Sequence, residues 1–386
     1  MRTITAAKLW DGTKLVDNPV IEIEDGRIAS IATGPAEGTH HFPAATLAPA
    51  FFDVHVHGAA GHDVMEATPE ALGKIGRFLA SRGTGSFLAT TVTAPLDMTL
   101  KALDGLAKLI DHPDSIPDSI HSSSPTTRPI GIHLEGPFLS HAKCGVQPKE
   151  HLLEPSIATF DKLFEAAGGH ARLMTLAPEL PGAIELAAHA TARGVRISVG
   201  HSNATAAETR AAIAAGAVSA THTFNAMRAL DHREPGILGT VLTTDSLFAE
   251  LICDGIHTSP EIVKLWWRAK GPERAILVKD AMSAAGMPDG EYHLGGFAVQ
   301  VANGRAMARG VLAGSVLTLD RALANFTAFT GAPLDQALRL LTVNPAAMTG
   351  FSNQAGSLKA GQLANLVAVD AQGKLIASFH NGEVAS

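Results

Sequence analysis

From residue 48 to about residue 280 the sequence repeats one pattern: a short apolar, β-branched run, then a stretch that is polar or of helical period. Strand-like runs fall at 48–56, 86–93, 129–134, 171–176, 195–199, 218–223, 248–253 and 274–278, with helix-like stretches such as 97–110, 183–193 and 204–215 between them. Strands separated by helices must pair in parallel, and about eight such alternations match a closed (β/α)8 TIM-like barrel. An open doubly wound sheet would serve the same pattern. The first strand, however, is not followed by the Gly-x-Gly-x-x-Gly of a dinucleotide-binding turn.

The chain ends read differently. Residues 1–47 contain strand-like pieces such as Val20-Ile21-Glu22-Ile23, punctuated by Asp11-Gly12 and Asp25-Gly26. Such pairs favour tight turns. Residues 356–386 repeat the style, with Gln372-Gly373 between two runs. Neither end is long enough to bury a core alone. The expectation is one small β-sandwich domain built from residues 1–47 plus 356–386, beside a barrel of residues 48–355. Residues 111–128, rich in Pro, Ser and Asp, read as a surface loop. Residues 292–301 and 305–311 around Asn303-Gly304 read as a hairpin after the last barrel strand, placed to act as a flap.

What ends each strand carries the chemistry, because barrel active sites form at the C-terminal ends of the strands. The first run closes in His55-Val56-His57, whose two rings share a face of the strand. The third closes in His133-Leu134-Glu135, the fifth in His201, the sixth in His222, the seventh runs on to Asp254 and His257, and the eighth closes in Asp280. Imidazoles with a carboxylate and an open position make a catalytic metal site. Such an ion lowers the pKa of water to about 7. Asp280 is placed to take that water's proton and pass it to a leaving group. His133 is expected beneath the site rather than as a ligand. The bland alternatives are a helix cap for Asp280 and an ion pair with a basic side chain for Glu135.

Composition narrows the classes. With 386 residues and 46% hydrophobic content, a large core is available. A net charge of −7 with no basic run argues against nucleic acid. No apolar run is long enough to span a bilayer, and the N-terminus reaches Lys8 and Asp11 too soon for a signal-peptide core. Cys144 and Cys253 alone make no disulfide framework, which fits a reducing cytoplasm.

The chain resembles the amidohydrolase superfamily and, within it, the N-acetylglucosamine-6-phosphate deacetylases. The matching pieces span nearly its whole length: Asp53-Val54-His55-Val56-His57-Gly58, His133-Leu134-Glu135-Gly136-Pro137-Phe138, Gly200-His201-Ser202, Thr221-His222-Thr223-Phe224-Asn225-Ala226-Met227, Arg233-Glu234-Pro235-Gly236, Asp254-Gly255-Ile256-His257, Asp280-Ala281, Leu312-Ala313-Gly314-Ser315 and Asn344-Pro345-Ala346. The resemblance implies hydrolysis of N-acetylglucosamine 6-phosphate to glucosamine 6-phosphate and acetate. It implies a principal metal on Glu135, His201 and His222, a second site on His55 and His57, and Asp280 as acid and base. Asn225, Ala226, Arg233 and His257 would meet the sugar phosphate, and Val146, Gln147, Leu312, Ala313 and Gly314 would line the sugar pocket. One or two divalent ions per chain are expected, zinc first, with iron, manganese or cobalt as alternatives. A homodimer is expected, since part of the phosphate grip can cross an interface.

Some relatives carry His where Gln147 stands, helping to polarise the amide carbonyl, and often lack the first His of the pair. Here both His are present, so a second metal could take that role. Three rivals stay open: an N-acetylgalactosamine-6-phosphate deacetylase, another metal-dependent amidohydrolase of the cyclic-amidase or dihydroorotase type, and a non-catalytic scaffold. The second usually bridges its metals with a modified lysine on strand four, whereas that strand here ends Thr175-Leu176-Ala177-Pro178-Glu179.

Overall fold

The computed structural model of the chain describes residues 1–35, 37–117 and 125–385; residues 118–124 of the expected surface loop 111–128 lie outside the described residues. Eight parallel strands form the central sheet. They are β1 (Phe51–Val56), β2 (Thr84–Thr91), β3 (Pro129–Glu135), β4 (Ala171–Leu176), β5 (Arg196–Val199), β6 (Ala217–Ala220), β7 (Phe248–Ile252) and β8 (Ala275–Val278). They pair in chain order. A parallel bridge between Val56 and Ala281, with Asp280 N–H donating to the His55 carbonyl at 3.2 Å, joins the last strand to the first. The sheet is therefore a barrel closed at its C-terminal rim.

Each strand is followed by a helix: α1 (Pro69–Ser81), α2 (Leu96–Asp111), α3 (Ile157–Ala166), α4 (Ala183–Ala192), α5 (Ala206–Ala214), α6 (Gly236–Thr243), α7 (Pro260–Arg274) and α8 (Leu319–Thr330). Local chemistry explains their bounds. Thr68 caps α1 by accepting from Ala71 N–H, and the helix buries Leu72, Ile75 and Leu79 at helical spacing against the strands. Thr205 and Glu208 form a reciprocal capping box at the start of α5. The expected strand 218–223 ends three residues early, at Ala220, because Thr221 to Ala226 leave the sheet in consecutive turns.

The chain ends meet in one eight-stranded mixed sheet, in which Leu366–Val369 pairs antiparallel to His40–Pro49, itself parallel to Arg2–Trp10. The sheet folds back on itself. Arg27 bridges Leu363, and the Gly26 carbonyl accepts from Ala364 N–H at 2.9 Å. Ile4, Ile21, Ile23, Leu47, Leu366 and Phe379 fill the space enclosed, while Val367 and Val369 face the barrel. Asp25-Gly26 turns between the paired strands Pro19–Glu24 and Arg27–Thr33 with φ of 49° and 75°, the left-handed pair that a two-residue hairpin needs.

The expected hairpin at 292–311 is richer than two strands. A four-stranded antiparallel sheet runs through Gly290–Leu294, Phe297–Ala302, Arg305–Ala308 and Val311–Leu312. Gly295-Gly296 breaks what reads in sequence as a single run at 292–301. Leu294, Val299 and Val301 bury with Val92, Val146 and Met282 of the barrel rim. This sheet is a packed wall of the site.

Candidate metal and substrate site

The rim places two ligand groups side by side: His55, His57 and Asp280, and Glu135, His201 and His222, each set with its donor atoms within 4.8 Å of one another. In the second group Glu135 Oε1 lies 3.2 Å from His201 Nε2 and 3.1 Å from His222 Nε2, and the two nitrogens are 3.2 Å apart. A tetrahedron with the 2.0–2.1 Å bonds of zinc to imidazole has edges of about 3.3 Å. This triangle fits one of its faces, leaving a corner open. In the first group His57 Nε2 is 3.2 Å from His55 Nε2 and 3.1 Å from Asp280 Oδ1. Glu135 reaches both groups, with Oε1 3.4 Å from His55 Nε2 and Oε2 3.3 Å from His57 Nε2. One carboxylate thus stands where a bridge between two ions would stand, and β4 supplies no lysine for that role.

The surroundings aim the rings. His201 Nδ1–H donates to the Lys143 carbonyl at 3.0 Å and His57 Nδ1–H to the Thr90 carbonyl at 3.0 Å, so both Nε2 atoms are turned toward the cluster. Gln147 is held from both ends. Its Oε1 accepts from Thr93 N–H, and its Nε2 donates to Glu135 Oε2, each at 2.8 Å. His133 lies under the cluster as expected, Nε2 at 2.8 Å from Thr175 Oγ1 and Nδ1 at 3.1 Å from the Val54 carbonyl. Deeper still, Lys279 pairs with Asp53 at 3.1 Å, both almost fully buried.

Backbone conformation turns the ligands inward. His201, His222 and Asp280 have φ of 45°, 28° and 49°. Non-glycine residues adopt this left-handed region at a cost of order 1–3 kcal/mol, which structures bear mostly at functional sites. Ser202 Oγ and Asn203 N–H both donate to Glu179, which fixes the turn behind His201.

The charges are strongly coupled. Burial opposes charge on His55, yet the Glu135 and Asp280 carboxylates hold its imidazolium well above the usual histidine range. His57 is pushed up to about 9 by hydrogen bonds to Asp280 and Glu135, against burial. Burial raises Glu135 and Asp280, but the surrounding histidines outweigh it and leave both carboxylates below their ordinary values. Burial and the neighbouring His55 hold His133 well below the usual range, so its imidazole is neutral. The two carboxylates thus favour protonation of His55 and His57 when no cation balances them, and metal competes with those protons.

A cavity of about 250 Å³ opens onto the cluster and is lined by Val146, Gln147, Asn225, Ala226, His257, Leu312 and Gly314 with His57, Glu135, His201, His222 and Asp280. Ala313, expected to line the sugar pocket, is not among the lining residues; it is buried in the apolar cluster with Val92, Val146 and Met282. His257 Nδ1–H donates to Asp254 at 2.6 Å, leaving its Nε2 edge for a ligand. Arg233 is not among the lining residues; it is exposed on the turn before α6, its N–H bound to Asp231. Three groups near the site carry little sequence signal. Thr90 and Lys143 act through backbone carbonyls, which leave no side-chain signal. Glu250 is legible only as a charged residue inside the apolar run of β7.

A closed (β/α)8 barrel with a rim of histidines and carboxylates gathered around Glu135 defines a metal-dependent hydrolase. The model of the amidohydrolase family matches residues 46–385. An N-acetylgalactosamine-6-phosphate deacetylase of Escherichia coli O157:H7 is 39% identical over 99% of both chains. An N-acetylglucosamine-6-phosphate deacetylase of Bacillus subtilis is 35% identical over 96% of this chain and 94% of its own. A mutant N-acetyl-D-glucosamine-6-phosphate deacetylase of Mycobacterium smegmatis, solved with N-acetyl-D-glucosamine-6-phosphate, superposes with a TM-score of 0.91 at 34% identity, covering 100% of this chain and 99% of that one. The chain belongs to the amidohydrolase family and is a metal-dependent enzyme that hydrolyses amide bonds.

Proposed function

We propose that the chain hydrolyses N-acetylglucosamine 6-phosphate to glucosamine 6-phosphate and acetate. The observation that carries the reading is the shared Glu135, flanked by two ligand groups at the head of a cavity that also holds Asn225, Ala226 and His257. Glu135, His201 and His222 would hold one divalent ion, and His55 and His57, with Glu135, a second. A bound ion of this kind supplies Lewis acidity toward water and toward the amide carbonyl. Asp280, ionised by the histidines around it, accepts a proton from the attacking water. The water oxygen bonds to the acetyl carbon, the C–N bond breaks, and Asp280 returns the proton to the departing amine. Gln147 keeps Glu135 in place, and Leu312 to Gly314 with Val146 flank the sugar.

For the phosphate, His257, anchored through Nδ1 to Asp254, presents its Nε2 edge from the cavity wall, and Arg233 offers a planar fork. Arg233's exposed place fits action across a homodimer interface. Zinc is the favoured ion, and iron, manganese or cobalt suit the same donors. We read residues 1–47 with 356–386 as one unit and 48–355 as the catalytic unit, in a cytoplasmic enzyme whose two thiols stay reduced. Among the described residues no helix is long and apolar enough to cross a membrane.

A second reading has its own support: the relative 39% identical to this chain acts on the galactosamine epimer. Turnover of both N-acetylated 6-phosphates and of plain N-acetylglucosamine separates the readings. The glucosamine epimer should give the higher kcat/KM. A preference for the galactosamine epimer reverses the assignment, and no turnover of either overturns it.

A further inference from the structure

Glu250 sits in the middle of β7, between Ala249 and Leu251, and is fully buried. Among the described residues neither of its carboxylate oxygens has a hydrogen-bond partner. His55 Nδ1 is likewise buried and without a hydrogen-bond partner among the described residues. These orphans face each other, with Glu250 Oε2 3.6 Å from His55 Nδ1, beyond hydrogen-bond range but within ion-pair reach. A glutamate is almost never fully buried unless paired, and burying an unpaired carboxylate is costly.

The other side of the His55 ring explains the pairing. Its Nε2 lies in the cluster, near His57, Glu135 and Asp280. A ring that gives its Nε2 lone pair to a metal keeps its proton on Nδ1, and that N–H needs an acceptor. For His57 and His201 backbone carbonyls take this part. His55 has Glu250 instead, and a carboxylate acceptor makes the ring a stronger donor than a carbonyl does.

We propose that Glu250 is a positioning residue for the second ion: it fixes His55 as the Nδ1–H tautomer and adds negative charge behind that half of the site. The proposal rests on the two-ion reading given above. The competing view is that Glu250 is a protonated, neutral core residue. A neutral glutamic acid and glutamine have the same shape, so Glu250→Gln distinguishes the two.

The experiment is zinc binding by equilibrium dialysis with elemental analysis on wild type, Glu250→Gln, His55→Gln and the double variant. Wild type should take two ions per chain. Glu250→Gln should keep the first at wild-type affinity and bind the second about 10–100-fold more weakly, the range for lost outer-sphere partners. The double variant should lose no more than His55→Gln alone. An unchanged second affinity in Glu250→Gln overturns the proposal, as does equal weakening of both ions, which is what general damage to the core would give. A wild type that takes one ion fails at the two-ion reading itself and removes the proposal with it. Nitrogen-15 spectra of histidine-labelled, zinc-loaded wild type decide the matter if Glu250→Gln does not fold. The His55 ring, assigned through His55→Gln, should show a protonated Nδ1 protected from exchange, and an unprotonated Nδ1 refutes the proposal.

Discussion

Asp280 is the residue on which turnover depends most directly. Its Oδ1 lies 3.1 Å from His57 Nε2, and the histidines keep it ionised despite burial. Asp280→Asn keeps the shape and removes the base. It should lower kcat about 10²–10⁴-fold while metal content holds, and a loss of only a few-fold would move the proton to another group. Gln147 tests a different idea. Its amide joins Thr93 N–H to Glu135 Oε2, so Gln147→Ala orphans a backbone donor and frees the shared carboxylate. Metal affinity should fall about 10–100-fold, read by competition with a chromophoric chelator. Wild-type affinity would reduce Gln147 to a wall of the pocket. These residues differ in how far sequence exposes them. Asp280 and the five metal candidates stand at strand ends, where a barrel makes position readable. Gln147 reads by resemblance as a pocket residue, and its bond to Glu135 depends on a loop path that no periodicity encodes.

At the scale of elements, the segment after Val311–Leu312 does more than line a pocket. Ser315 N–H donates to the Asp280 carbonyl at 2.7 Å, and Ser315 Oγ donates to the Lys279 carbonyl. The wall sheet is thereby tied to the end of β8. Gly314, at φ 62°, adopts a conformation that disfavours a side chain, and a Cβ there would lie 3.0 Å from the Asp280 carbonyl oxygen. Gly314→Ala should therefore push the catalytic strand end and cut kcat at least several-fold, with thermal stability lowered by about 1 kcal/mol or more. Unchanged kinetics would show that this contact does not hold Asp280. Strand order and the helices after β2, β4 and β5 were legible because apolar runs alternate with helical periods. Helix α7 was harder, since Gly271 at φ 60° and Pro272 interrupt its C-terminal end. The four-stranded wall reads in sequence as one hairpin because Gly295-Gly296 falls inside a run of otherwise strand-forming residues.

Across the whole molecule, metal and protons compete for one cluster that joins β1, β3, β5, β6 and β8. In the folded chain without metal, hydrogen bonds to Asp280 and Glu135 push His57 up from its ordinary 6.5 to about 9, against burial. Its raised value means that protonation stabilises the metal-free fold fully below pH 6.5, and that this contribution is lost as pH rises through 9. One pKa unit corresponds to about 1.4 kcal/mol, so the shift is worth on the order of 3 kcal/mol. His55, also raised, acts in the same direction. The loaded protein behaves in the opposite way. Ions bind deprotonated rings, so their affinity, and the stability they add, grows over the same interval. The gap in Tm between loaded and chelated protein should therefore widen from pH 6.5 to 9, measured by calorimetry with and without chelator in buffers of equal ionic strength. Metal uptake near pH 7 should release protons, visible as a binding heat that scales with the ionisation enthalpy of the buffer. A flat gap, or uptake without proton release, would mean that the histidines are already neutral before metal arrives. The carboxylates would then draw their compensation from elsewhere in the barrel, with the buried Lys279 below them as the first group to examine.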